Sequence, residues 1–160
     1  MKLAMYKGPA TGLFHIIAHW FTCLWTMSRY SHCELVFGEP DRFGMSLCAS
    51  SSGRDGGVRF KNIDLGSGRW DVFDIGGDEE AASRWVIQHV ASGYDWFGLL
   101  WFVLPIKVFN NPRRWFCSEA CASALGLEKP HKFHPQRLLN RMKAALSLIH
   151  ISEPTRPLYI

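Results

Sequence analysis

Turn-forming residues cut the first half of this 160-residue chain into short pieces, and that punctuation limits what it can fold into. Gly8-Pro9 ends "KLAMYK", and "EPDRFG" follows "SHCELVFG". The loop "SSGRDGG" then separates "MSLCAS" from "VRFKNIDL", and "RWDVFDI" comes next. Runs this short, bounded by Gly, Pro, Asp and Ser, read as strands, with "SHCELVFG" and "MSLCAS" as hairpin partners. Gly53, Gly56 and Gly57 lack the Lys-Ser/Thr of a phosphate loop and read as a hairpin turn.

The second half follows a different period. "DEEAASRWVIQHVAS" has acids in its first turn and places Trp85, Val86, His89 and Val90 on one face of a helix. "CSEACASALGL" is a helix closed by Gly126, and "HPQRLLNRMKAAL" is a final amphipathic one. Two segments are apolar on nearly every side: Leu13–Trp25, with Leu13, Ile16, Ile17, Trp20, Phe21 and Leu24 at helical spacing, and Phe97–Phe109, broken or kinked at Pro105. At about 13 residues each they are too short to span a bilayer, and the first reads as a buried helix. With no repeat or linker, and with 48% hydrophobic residues, the chain reads as one α+β domain. It is a small antiparallel sheet with helices gathered on one side.

The domain is expected to cover residues 1–145. "LSLIHISEPTR", Leu146 to Arg156, reads like an in-frame translation of a sequencing adapter, so residues 146–160 are expected to be a non-native tail. A net charge of +4 with Lys and Arg scattered does not point to nucleic acid, and leaves room for weak attraction to an anionic cell wall or membrane surface. Five cysteines, an odd number, and no apolar leader in "MKLAMYKGPATG" point to reduced thiols in a cytoplasmic setting.

Chemistry concentrates at the start of the "CSEACASALGL" helix. A cysteine in a first helical turn faces free backbone N–H groups, whose partial positive charge favours a thiolate. Cys117 is therefore a candidate nucleophile, with a small core residue as the alternative. A nucleophilic cysteine needs a base and a group to orient that base. His32 opens a strand, and Glu34 shares its face because side chains alternate. If Leu35 and Phe37 pack inward, His32 and Glu34 point the other way; a solvated edge strand is the alternative. His15/His19 and Cys117/Cys121 have i,i+4 spacing but lack the further ligands that would specify a metal. Nothing calls for a cofactor.

"YSHCELVFG…SLCASSSGRDGGVRF…GYDWFG…WFCSEACASALGL" resembles the circularly permuted branch of the NlpC-type, papain-like cysteine hydrolases. In the unpermuted family the cysteine helix comes first, and the histidine strand and its hairpin partner follow. Here "SHCELV" leads, "LCAS" follows and "GYD…FCSEAC" comes last, as in permuted members that include bacterial and phage hydrolases and lecithin–retinol acyltransferase relatives. The similarity spans Lys2 to Leu139. It implies that Cys117 is the nucleophile, His32 the base and Tyr94 a substrate-lining residue. The family's polar third residue aligns with Cys48. A thiol is a poor acceptor for an imidazole N–H, which leaves Glu34, Cys48 and Ser50 as candidates, with Glu34 preferred as the ionisable one. "Cys-Ser-Glu" stands where the family has "Cys-Ser-Gly". The implied function is a cysteine peptidase or amidase acting on a peptide or peptidoglycan-like substrate. The alternatives are a lipid acyltransferase or phospholipase, for which the insert "FGLLWFVLPIKVF" could meet a membrane peripherally, and a catalytically inactive binding module.

Overall fold

The computed structural model describes residues 1–8, 20, 23–24, 28–95 and 113–152. Within them the order is β1 (Lys2–Tyr6), β2 (His32–Phe37), β3 (Met45–Ser52), β4 (Gly57–Asp64), β5 (Trp70–Asp74), α1 (Glu79–His89), β6 (Gly93–Tyr94), β7 (Arg114–Trp115), α2 (Cys117–Ala124), a 3-10 turn at Pro130–Lys132, and α3 (Pro135–Ser152). The five longer strands fall between the breakers that mark them in the sequence. Asp78 caps α1 by accepting the Ala81 N–H at 3.0 Å, with Glu79 and Glu80 in the first turn.

The α+β class holds, but the sheet is neither small nor wholly antiparallel. Seven strands lie in the order β5-β1-β2-β3-β4-β6-β7, and β6 pairs with β7 in parallel. The two added strands have two residues each, too short for any periodicity to reveal. They join the sheet through β4, where Gly57 pairs with Gly93 and the Val58 N–H donates to the Ser92 carbonyl at 2.9 Å. Gly57 has φ +145°, and a Cβ there would lie 1.8 Å from the Ser92 oxygen, so only glycine permits this junction. The turn at residues 53–56 closes the β3–β4 hairpin as expected.

β2 lies inside the sheet, between β1 and β3, so it is not an edge strand. Its alternation divides two buried clusters. Cys33, Leu35 and Phe37 join Leu3, Met5, Ala49 and Val58 beneath the helices, which contribute Ala82, Val86, Cys117, Ala120, Cys121, Leu138, Leu139 and Met142. On the other face Val36 joins Ala4 and Cys48, flanked by Ile63, Leu65 and Trp70. The packing helices thus cover one face: α2 sits on β2 and β3, and α1 on β4.

Of the expected first helix, Trp20 and Leu24 are helical but 67% and 81% exposed, so the buried face assigned to them is not present at those positions. A run apolar on all sides does not announce which side is covered. The rest of that segment, including His15 and His19, and residues 96–112 with Pro105 lie outside the described residues. Among the described residues no helix is long and apolar enough to cross a membrane.

α3 continues without a break past residue 145 to Ser152. Among the side chains described, its fully or nearly buried residues, Pro135, Leu138, Leu139 and Met142, all precede that point, and Leu146 is only half-buried. Truncation before Leu146 is therefore expected to lower the melting temperature by less than about 4 °C, equivalent to about 1 kcal/mol. A larger loss in a thermal scan would show that the last turns of α3 are needed by the core.

Candidate active site

The backbone runs extended through Trp115 and Phe116 and turns helical at Cys117, the first residue of α2. Two hydrogen bonds fix this entry. Ser51 of β3 donates its hydroxyl to the Trp115 carbonyl at 2.7 Å, and the Phe116 N–H donates to Glu119 Oε2 at 3.4 Å. The Phe116 side chain makes no cap hydrogen bond to the first turn. Ser118 anchors the other side by donating to the Phe133 carbonyl.

Opposite this helix start stands a chain of charged groups. His32 Nε2 lies 2.7 Å from Glu34 Oε1, and Glu34 is fully buried. Arg59 of β4 grips the same carboxylate with two bonds, Nη1 to Oε2 at 2.7 Å and Nη2 to Oε1 at 2.6 Å. Arg59 Nε donates to Asp55 Oδ2 at 2.8 Å, and Lys61 Nζ to Asp55 Oδ1 at 2.9 Å. An ionised carboxylate only accepts, so Nε2 of His32 carries a proton, and Nδ1 is the ring nitrogen turned away from Glu34.

Electrostatics follow from this arrangement. For Glu34, burial acts to raise the pKa, but the hydrogen bonds from Arg59 and His32 and their charges outweigh it and hold the group below its ordinary value. For His32, burial acts downward, while the charge of and hydrogen bond to Cys117, then those of Glu34, carry it up to about 10. For Cys117, burial acts upward; the hydrogen bond from the Cys33 thiol and the charge and hydrogen bond of His32 reverse that and bring it down to about 5. Thiolate and imidazolium thus stabilise each other. Burial keeps the Tyr94 phenol protonated, and the nearby Cys117 charge adds to the effect.

The structure therefore brings together Cys117, His32, Glu34 and Tyr94. It places Cys48 and Ser50 elsewhere. Cys48 packs with Ala4 and Val36, and burial pushes its thiol up to about 12. The Ser50 hydroxyl lies 3.8 Å from Cys121 Sγ. Of the three candidates for the imidazole's partner, Glu34 is the one on the ring.

Three contributors were not expected from the sequence. Arg59 holds Glu34, the Cys33 thiol helps to lower the Cys117 pKa, and Trp70 stands edge-on to His32 with ring centres 6.4 Å apart, itself packed on Tyr6 at 4.9 Å. A signal for Arg59 did exist: it alternates with Val58 and Phe60 and so shares a face with Lys61. His32 keeps 22% of its side chain exposed, so the site reaches solvent along that edge. Among the described residues no group of three or more His, Cys, Asp or Glu is placed to hold a metal. A scan against protein-family models finds no match to the chain, and a search of the curated proteins finds none either.

Iodoacetamide at about pH 6 is expected to label Cys117 ahead of the other cysteines. Its rate should rise through about pH 5 as the thiolate forms and stay level until the imidazolium is lost near pH 10. An ordinary cysteine gains reactivity only through about pH 8.5. His32→Ala should remove the plateau, read as mass-spectrometric labelling rate per cysteine; a Cys117 rate indifferent to His32 would show that the two are not an ion pair.

Arg59→Met should destabilise the fold by about 3–5 kcal/mol in urea unfolding, because it strands a buried carboxylate. A loss under about 1 kcal/mol would show that Glu34 does not depend on the guanidinium.

Proposed function

We propose that the protein is a cysteine hydrolase of the circularly permuted, NlpC-type papain-like kind, cleaving an amide bond, with a peptide or peptidoglycan stem as substrate. One observation carries the reading: a histidine whose Nε2 is 2.7 Å from a buried carboxylate interacts electrostatically with a cysteine at a helix start, whose thiol it pulls down to about 5. The chain order, histidine strand first and cysteine helix last, supports the permuted arrangement.

In this reading the Cys117 thiolate attacks the amide carbonyl carbon, forming a C–S bond and moving charge onto the carbonyl oxygen. The Cys117 backbone N–H at the start of α2 stabilises that oxyanion, and the protonated Tyr94 phenol lines the same region. Collapse of the intermediate breaks the C–N bond, and the His32 imidazolium delivers its proton to the departing amine. A thioester remains. Neutral His32 then takes a proton from water, whose oxygen attacks the thioester; the C–S bond breaks and the thiolate and imidazolium return. Glu34 orients the ring and stabilises its positive charge, and Arg59 keeps Glu34 ionised.

Exposed Trp20 and Leu24 favour a second reading, in which the same thiolate takes an acyl group from a phospholipid. Muropeptides and phospholipid vesicles, offered in parallel, separate the two. Release of a new amine from muropeptides, reduced at least about 1,000-fold in Cys117→Ala, is the expected result. Fatty-acid release with no new amine would select the lipid reading, and turnover of neither would leave a binding module.

A further inference from the structure

We propose that Asp55 is a positioning residue for this site: from the β3–β4 turn it locks the guanidinium of Arg59 against Glu34, and through that carboxylate it holds the imidazole of His32 in its working orientation. The inference rests on the reading of His32 as the base and acid of a hydrolase. It gives a task to the loop "SSGRDGG", which otherwise only closes a hairpin.

The turn is shaped to aim one side chain. The Asp55 N–H donates to the Ser52 carbonyl at 3.2 Å, and Gly56, at φ +83°, carries the backbone round in the left-handed region that glycine adopts freely. Asp55 then reaches two residues of β4 that share a face. Arg59 Nε donates to its Oδ2 at 2.8 Å, and Lys61 Nζ to its Oδ1 at 2.9 Å. On the other side of the guanidinium, Nη1 and Nη2 bond Glu34, and Nη1 also lies 3.4 Å from the Ser50 carbonyl oxygen. A planar group held at Nε by one carboxylate and at both Nη atoms by another has no free rotation left.

The result is a row of alternating charge. Lys61, Asp55, Arg59, Glu34 and protonated His32 follow one another with links of 2.6 to 2.9 Å. For Asp55, burial acts upward, but the hydrogen bonds from Lys61 and Arg59 and their charges bring it down to about 2, so it is ionised wherever His32 titrates. From the other elements around the ring, Cys117 of α2 acts on it by charge, Tyr6 of β1 is its register partner, and Lys7 and Asp71 are paired with each other. Neutralising Asp55 leaves the Arg59 Nε–H without its acceptor and sets two cations near Glu34 with no anion between them. Both then draw on the carboxylate that steadies the imidazolium, and His32 gives up its proton more easily. Removing Lys61 instead takes a cation away and leaves Asp55 wholly to Arg59. The two substitutions therefore act with opposite sign, whereas a turn that merely braced the fold would loosen the site in both.

Titration of the His32 ring by heteronuclear NMR, on the full chain with no substrate present, tests this directly. In the wild type the Arg59 Nε–H should exchange slowly with water. In Asp55→Asn that protection should be lost, and the His32 midpoint should fall by about one unit, a tenfold weaker hold on its proton. Lys61→Met should leave the midpoint in place or raise it. A midpoint that moves by less than about 0.2 unit in Asp55→Asn, or that falls equally in both variants, would overturn the proposal. Rapid exchange of the Arg59 Nε–H in the wild type would overturn it too, and that measurement decides the matter even if Asp55→Asn fails to fold. Because the readout is the ring itself, failure of amide hydrolysis and failure of this coupling register separately.

Discussion

A carboxylate with no exposure to solvent, on an interior strand of a sheet, is the constraint around which the rest is arranged. Glu34 would be intolerable there alone, since an isolated buried charge costs several kcal/mol or more. Arg59 answers it with two parallel hydrogen bonds, the geometry in which a guanidinium matches a carboxylate best. To do so it must reach from β4 across β3, which ties three strands into one register. The pairing of Ser50 with Arg59, and of Ala4 with Glu34, is then fixed by charge as well as by hydrophobic pattern. Once Glu34 is held ionised, its Oε1 is available to one imidazole N–H, and the ring of His32 acquires its orientation. The chain of dependence runs from Asp55 at the surface to the sulfur at the helix start.

Adjacent strand residues point to opposite faces, yet His32 and Cys33 both act on Cys117. His32 opens β2 and Cys117 opens α2. One side chain supplies positive charge from the solvent edge and the other a thiol donor from the core. The sulfur sits deep enough for burial to work against its ionisation, and its partners overcome that opposition. A site of this kind gains from dryness, since each of those interactions is stronger away from water.

Much of this was legible in the sequence because it is local. The breakers around β1 to β5 and the acids at the start of α1 identify their elements without tertiary information. Alternation alone puts Glu34 on the face of His32, and the chemistry of acceptors favours it over Cys48. What could not be read depends on distant partners. Arg59 stands out only when the β3–β4 register is known, and Cys33 reads as one more apolar position until α2 is laid over it. β6 and β7 have too few residues for a period, and they exist because Gly57 lets another backbone approach. Trp20 and Leu24 show the converse failure: hydrophobic character forecast burial, and exposure was decided by what packs nearby.

The order of parts along the chain has a consequence during synthesis. β2, β3 and β4 are contiguous, so a nascent chain can close the Glu34–Arg59 pair while the segment carrying Cys117 is still within or behind the ribosome. The histidine is oriented first, by short-range contacts, and the sulfur arrives last. A chain stalled partway displays a finished acceptor of charge with nothing to activate. Its cysteine becomes reactive only when a largely completed sheet is there to receive it, so the growing polypeptide and its neighbours are spared an unpaired thiolate.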